Sequence, residues 1–114
     1  MKADSYQFGS VVIDGKTYEK DIIIHNGSIE KRKKKASKPY KARYGHTPLT
    51  SGEKIPWDKA TLIIGTGAHE KLPITDNVYE TAQQKGVTIK PMKTPEALEH
   101  LNDPDTNLIL HLTC

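Results

Sequence analysis

Gly65-Thr66-Gly67, which follows the apolar block Leu62-Ile63-Ile64, is the stretch of this chain best prepared to hold something small. Two glycines let a backbone approach an anion closely, and successive N–H groups in such a loop can form an anion nest. The place is also apt, because open α/β sheets bind ligands beyond the carboxyl ends of their strands. His69 follows the glycine pair, and Arg43 and His46 stand in the irregular stretch Arg43-Tyr44-Gly45-His46. If both loops fold over one strand end, two imidazoles, a guanidinium, the Thr66 hydroxyl and backbone amides converge. Such a set binds a small anion or moves protons. The plainer reading is a tight turn with two histidines bonded to backbone. A dinucleotide fingerprint needs a third glycine and an immediate helix, and Pro73 forbids an early helix here. The loop is therefore read as a turn first, and as a site only if its neighbours converge.

Other chemistry is sparse. The five histidines, at 25, 46, 69, 100 and 111, include no pair at zinc-ligand spacing. The single cysteine, Cys114, rules out an internal disulfide and a cysteine-rich metal centre, and it is read as mobile. Neither Ser28 nor Ser51 has a G-x-S-x-G context. No metal, cofactor or complete catalytic constellation is expected, which points away from an enzyme. The main charge feature is the run Lys31, Arg32, Lys33, Lys34 and Lys35, with Lys38, Lys41 and Arg43 beyond it. A basic surface of this kind can contact phosphates or an acidic protein. No aromatic platform alternates through the run, so base stacking is poorly served, and lysines on an exposed edge strand also discourage aggregation. The run is read as a solvated edge, and nucleic acid is disfavoured as a partner.

These residues must be positioned by a small scaffold. At 114 residues the chain makes one domain, 1–114, of common size. Only 35 % of it is apolar, yet those residues are blocked into Val11-Val12-Ile13, Ile22-Ile23-Ile24, Leu62-Ile63-Ile64 and Leu108-Ile109-Leu110, which excludes global disorder. A formal charge of +3 favours anionic partners only weakly. No stretch approaches a membrane helix, and Met1 to Ser10 lacks the apolar core of a secretory signal, so a cytoplasmic location with no membrane contact is expected.

Asp14-Gly15 between β-rich runs (Tyr6 to Ile13, Thr17 to His25) is a strong hairpin signal, and Asn26-Gly27 turns the chain into Ser28 to Lys34. The three runs predict an antiparallel meander. Lys35 to Ile55 is punctuated by proline and glycine and keeps no period, so a loop of functional length is expected there. Thr61 to Ile64 reads as a strand buried on both faces. Thr75 is placed to cap a helix that stops at Gly86, Val87 to Pro91 forms a strand, Thr94 caps a helix ending near Asn102, and Leu108 to Leu112 forms the last strand. The fold class is α/β (α+β): an N-terminal β-meander followed by β-α-β-α-β, with helices packed on a mixed sheet.

Four segments in order carry a resemblance: FGSVVIDGKTYEKDIII, RYGH, TLIIGTG and MKTPEALEHLN. Together they resemble the small domain shared by mitochondrial NADH dehydrogenase (complex I) assembly factor 3 and the adipogenesis-associated domain-containing protein, which also has stand-alone archaeal and bacterial versions. The likeness spans roughly Tyr6 to Leu112. It implies a compact α/β fold with a β-hammerhead-like element and no established reaction, since members are known as assembly or regulatory factors or as proteins of unknown function. No catalytic residue carries over. Where the family often has tryptophan after the meander turn, this chain has Lys31-Arg32-Lys33, and it shows no transit peptide. The leading expectation is a non-enzymatic binding or assembly module acting through a protein partner. The alternative is a small anionic-ligand protein or enzyme using Gly65, Thr66, Gly67, His46, His69 and Arg43.

Overall fold

The computed structural model describes all residues, Met1–Cys114. Three strands, β1 (Ala3–Gln7), β2 (Ser10–Ile13) and β3 (Lys16–Tyr18), form a small antiparallel sheet. Five more form a mixed sheet in the order β5-β4-β8-β6-β7: β4 (Ile22–His25), β5 (Ser28–Lys31), β6 (Thr61–Gly65), β7 (Thr88–Met92) and β8 (Thr106–Leu110). β6 runs parallel to both β7 and β8, whereas β4 is antiparallel to β8 and β5. The expected α+β class holds.

The uniform apolar triplets follow from burial on two faces, because alternate strand residues point to opposite sides. Ile23, Leu62, Ile64 and Ile109 pack on one face with Leu49, Leu72, Val78 and Ala82, under helix α2 (Asp76–Lys85). Ile22, Ile24, Ile63, Leu108 and Leu110 pack on the other with Val11 and Ile13 of the small sheet and Ala97 of the short helix α3 (Thr94–Ala97). Both hairpin turns take the expected mirror form, with positive φ at Asp14 and Gly15 and at Asn26 and Gly27.

The single meander is corrected. Gly9, at φ +85°, folds the first run into β1 and β2, and the second run changes sheets at Glu19-Lys20-Asp21. At that break the Asp21 carboxylate points inward, to Arg32 and His111. Strand β5 stops at Lys31, and Arg32, whose N–H donates to Asp21 O, turns its side chain into the interior. The proline-rich segment is not structureless either: a 3-10 helix spans Lys35–Tyr40 and α1 spans Lys41–Tyr44, closed by Gly45 at φ +76°. Helix α2 ends at Gly86 as expected, with φ +70°. Thr94 does not cap α3; Lys93 holds that position, because the Thr94 hydroxyl is used elsewhere.

Candidate functional site

The glycines at the β6 exit serve close packing. A Cβ on Gly65 would lie 3.0 Å from both Leu110 Cδ2 and Thr94 Oγ1. One on Gly67, itself at φ +106°, would overlap the backbone of Cys114. Most of the loop amides are already paired. Thr66 N–H donates to Met92 O at 2.8 Å, Gly67 N–H to Thr94 Oγ1 at 2.9 Å, and Ala68 N–H to Thr113 O at 2.8 Å. His69 and Lys71 N–H both donate to Cys114 O. Thr94 Oγ1 in turn donates to His111 O, so it locks β6, α3 and the segment after β8 together. From Thr66 to Leu72 only the Glu70 N–H has no partner, so no run of successive amides is left to cradle an anion, and Cys114 is pinned rather than mobile.

Beside Thr66 lies an open hollow of about 310 Å³, lined by Thr66, Glu70, Leu72, Tyr79, Pro91 and Met92, with Ile74 beneath. Of the six residues singled out in the sequence, Thr66 alone lines it. Arg43 borders a different hollow, against the first turn of α2. The His69 ring stands 6.4 Å from that of Phe8, and His46 lies one residue past the end of the α1 turn. The six residues do not share one hollow, as the turn-first reading had it: the loop after β6 is tied down by residues 113–114, and Thr66 and Arg43 border different hollows. The hollow's one charged group is the Glu70 carboxylate, and its walls mix polar and apolar surface in nearly equal measure.

The most organised polar assembly was hidden in the basic run. Arg32 is only 2 % exposed. Its guanidinium donates to both Glu53 oxygens at 2.8 Å, to Asp21 Oδ2 at 2.9 Å and to Pro48 O at 3.0 Å. Asp21 also accepts from His111 Nδ1 at 2.8 Å and from Leu112 N–H at 3.0 Å. Ser37 donates to Glu53 and shares a 2.7 Å hydrogen bond with Thr50. Burial pushes the Asp21 carboxyl up, but the His111 hydrogen bond and charge, the Leu112 amide and the Arg32 charge outweigh it and bring its pKa to about 2. Burial likewise pulls Arg32 down, and bonding to Glu53 and the Glu53 and Asp21 charges hold it above its ordinary value. Tyr6, whose hydroxyl donates to Leu112 O, is raised by burial and by the Asp21 charge. Arg32 is thus not part of a basic surface. Its neighbours Lys31, Lys33 and Lys35 are exposed and Lys34 is partly so.

A smaller polar knot joins His25 Nε2 to Asp58 at 2.9 Å, with Asn107 Nδ2 donating to the same carboxylate at 2.8 Å. Bonding to His25 and then to Asn107 holds Asp58 near a pKa of about 2. No group of three His, Cys, Asp or Glu side chains stands in position to ligate a metal. No helix is long and apolar enough to cross a membrane.

A family model described as a protein of unknown function (DUF498/DUF598) matches residues 3–103, and the chain belongs to that family. Among solved structures, the conserved hypothetical protein PH1505 from Pyrococcus horikoshii OT3 is 29 % identical with a TM-score of 0.82, each chain covered in full. A protein designated MT938 is 24 % identical with a TM-score of 0.71, over 99 % of this chain and 98 % of that one. A protein described as an outer membrane protein of Bartonella henselae is 15 % identical with a TM-score of 0.66, over 98 % and 94 % of the two chains. These last two share the fold. No curated protein matches.

Proposed function

We propose that this member of a family without an assigned activity is a binding module that docks a protein partner at the hollow beside Thr66. One observation carries the reading. Tyr79 is 42 % exposed and rims a 310 Å³ hollow walled by Leu72, Ile74, Pro91 and Met92. A half-exposed tyrosine beside a partly apolar recess is the kind of anchor that interface hot spots use. Glu70 selects a partner whose apolar anchor residue is followed by a basic one. The resemblance to the assembly factor 3 domain supports the same class of role.

The test replaces Tyr79 by a photo-crosslinking phenylalanine, identifies the captured protein, and measures its binding to the purified chain. Met92→Glu and Tyr79→Ala should each weaken that binding by about tenfold or more. Binding unchanged by both variants overturns the proposal.

A second reading, a small ligand in the same hollow, is favoured by its place beyond the carboxyl ends of two parallel strands. With the Glu70 carboxylate in the wall and most loop amides spent, a partly apolar body with a cationic group fits better than the anion suggested by the two glycines. Amide shifts confined to Thr66, Glu70 and Met92 on fragment titration would support it. A titration without such shifts would end it.

A further inference from the structure

Residues 31–46 hold eight of the seventeen Lys and Arg residues and none of the fourteen Asp and Glu residues, leaving the rest of the chain with an acidic excess. Such asymmetry within a small domain is the footprint of a polyanionic partner. The fold adds three facts that the composition lacks.

The segment is built, not loose. Arg32 is clamped in the interior, and Ser37, fully buried, fastens the 3-10 helix to Thr50 and Glu53. Gly52 lies directly below Ala36, where an added Cβ would come within 3.3 Å of its methyl. Everything else from Lys33 to Gly45 faces outward, with Lys34 partly covered.

The cations are also aligned. Side chains at i and i+3 eclipse on a 3-10 helix, whose rise of about 2 Å per residue puts Lys35 and Lys38 roughly 6 Å apart on one row. Lys41 continues the row at the start of α1. That repeat resembles the spacing of successive phosphates along an extended single strand.

Aromatic rings flank the row. Tyr40 and Tyr44, 47 % and 38 % exposed, stand one helical turn apart, with the Arg43 guanidinium 5.8 Å from the Tyr44 ring centre. With Arg43 they border a second shallow hollow of about 310 Å³. The run Lys31 to Lys35 holds no aromatic residue itself; Tyr40 and Tyr44 follow it on the helical turns that continue the segment. A groove of cations beside stacking rings is how single-stranded nucleic acids are held without sequence preference. Asp76 and Glu80 of α2 also line that hollow.

We infer that the exposed face of residues 33–44 binds single-stranded nucleic acid, with Lys35, Lys38 and Lys41 on phosphates and Tyr40 and Tyr44 under bases. This surface shares no lining residue with the Thr66 hollow, so either proposal can fail alone.

The test uses the full chain and a fluorescent oligouridylate in an anisotropy titration at several salt concentrations. Binding in the range of roughly 1–100 µM at low salt is expected, weakening steeply as salt rises. The triple variant Lys35→Gln, Lys38→Gln, Lys41→Gln should bind at least tenfold more weakly, with a salt slope smaller by about two. Tyr40→Ala and Tyr44→Ala should each cost about tenfold at constant slope. No binding at low salt overturns the inference. Equal binding to polyglutamate, or binding to phosphatidylglycerol vesicles but not to the oligonucleotide, overturns it as well. So does oligonucleotide binding that survives both the lysine and the tyrosine changes.

Discussion

Arg32 and Lys33 are adjacent and carry the same charge, yet they belong to different regions. Arg32 lies in a buried cluster with Asp21, Glu53 and His111, while Lys33 opens an exposed face that continues through Lys35, Lys38 and Lys41. Inside, each buried polar atom of the cluster has a partner, because an unpaired charge out of water costs several kcal/mol. Outside, a charge costs little to keep and contributes little to folding, so it is available for a partner. The lesson is that the run is two systems interleaved by the alternation of a strand end.

Removing the buried cation tests that division most severely. Arg32→Ala leaves Glu53 buried without its counter-ion and Asp21 with only His111 and the Leu112 amide, and should destabilise the domain by about 3–5 kcal/mol in urea unfolding. A loss as small as that of Lys33→Ala would erase the distinction.

Acid should dissolve the cluster from its other side. The Asp21 pKa is about 2 in the folded chain against 3.8 when unperturbed. Its contribution, on the order of 2 kcal/mol, is complete above pH ~4 and is lost as pH falls through about 2. The Asp21→Asn variant should lack this acid-dependent component when urea midpoints are compared across that window. A parent-like acid profile in the variant would remove Asp21 from the account.

Ser37 joins the two regions, so its effect should be intermediate. Ser37→Ala deletes hydrogen bonds to Glu53 and Thr50 and should cost about 1–3 kcal/mol, with faster amide exchange between Lys35 and Tyr44. Unchanged exchange there would mean that Ser37 does not hold the basic segment in place.

The smallest effect belongs to the surface. Replacing Lys35, Lys38 and Lys41 together by glutamine should move stability by less than about 0.5 kcal/mol per site. A larger loss would show that the stripe has a structural duty of its own.

Much of the scaffold was legible in residue order. The triplets at 22–24, 62–64 and 108–110 announced strands covered on both sides, and Asp14-Gly15, Asn26-Gly27 and Gly86 announced their turns. Gly9 concealed a break, because a glycine among β-forming residues reads equally as a strand interior. Arg32 was illegible for a deeper reason: its partners lie 11 and 21 positions away, and only tertiary closure makes burying it favourable. The candidate site suffered likewise. Two glycines advertise an approachable backbone, but local sequence does not reveal that residues 113–114 occupy the approach.

The position of β8 has one more consequence. It is synthesised after every other strand, yet it sits between β4 and β6 at the middle of the main sheet. On a ribosome, the β4–β5 hairpin and the β6–α2–β7 unit must wait with facing edges unpaired until residues 106–110 emerge. Assembly is therefore completed by long-range insertion, a slow kind of step, and the nascent chain is most exposed to aggregation just before it.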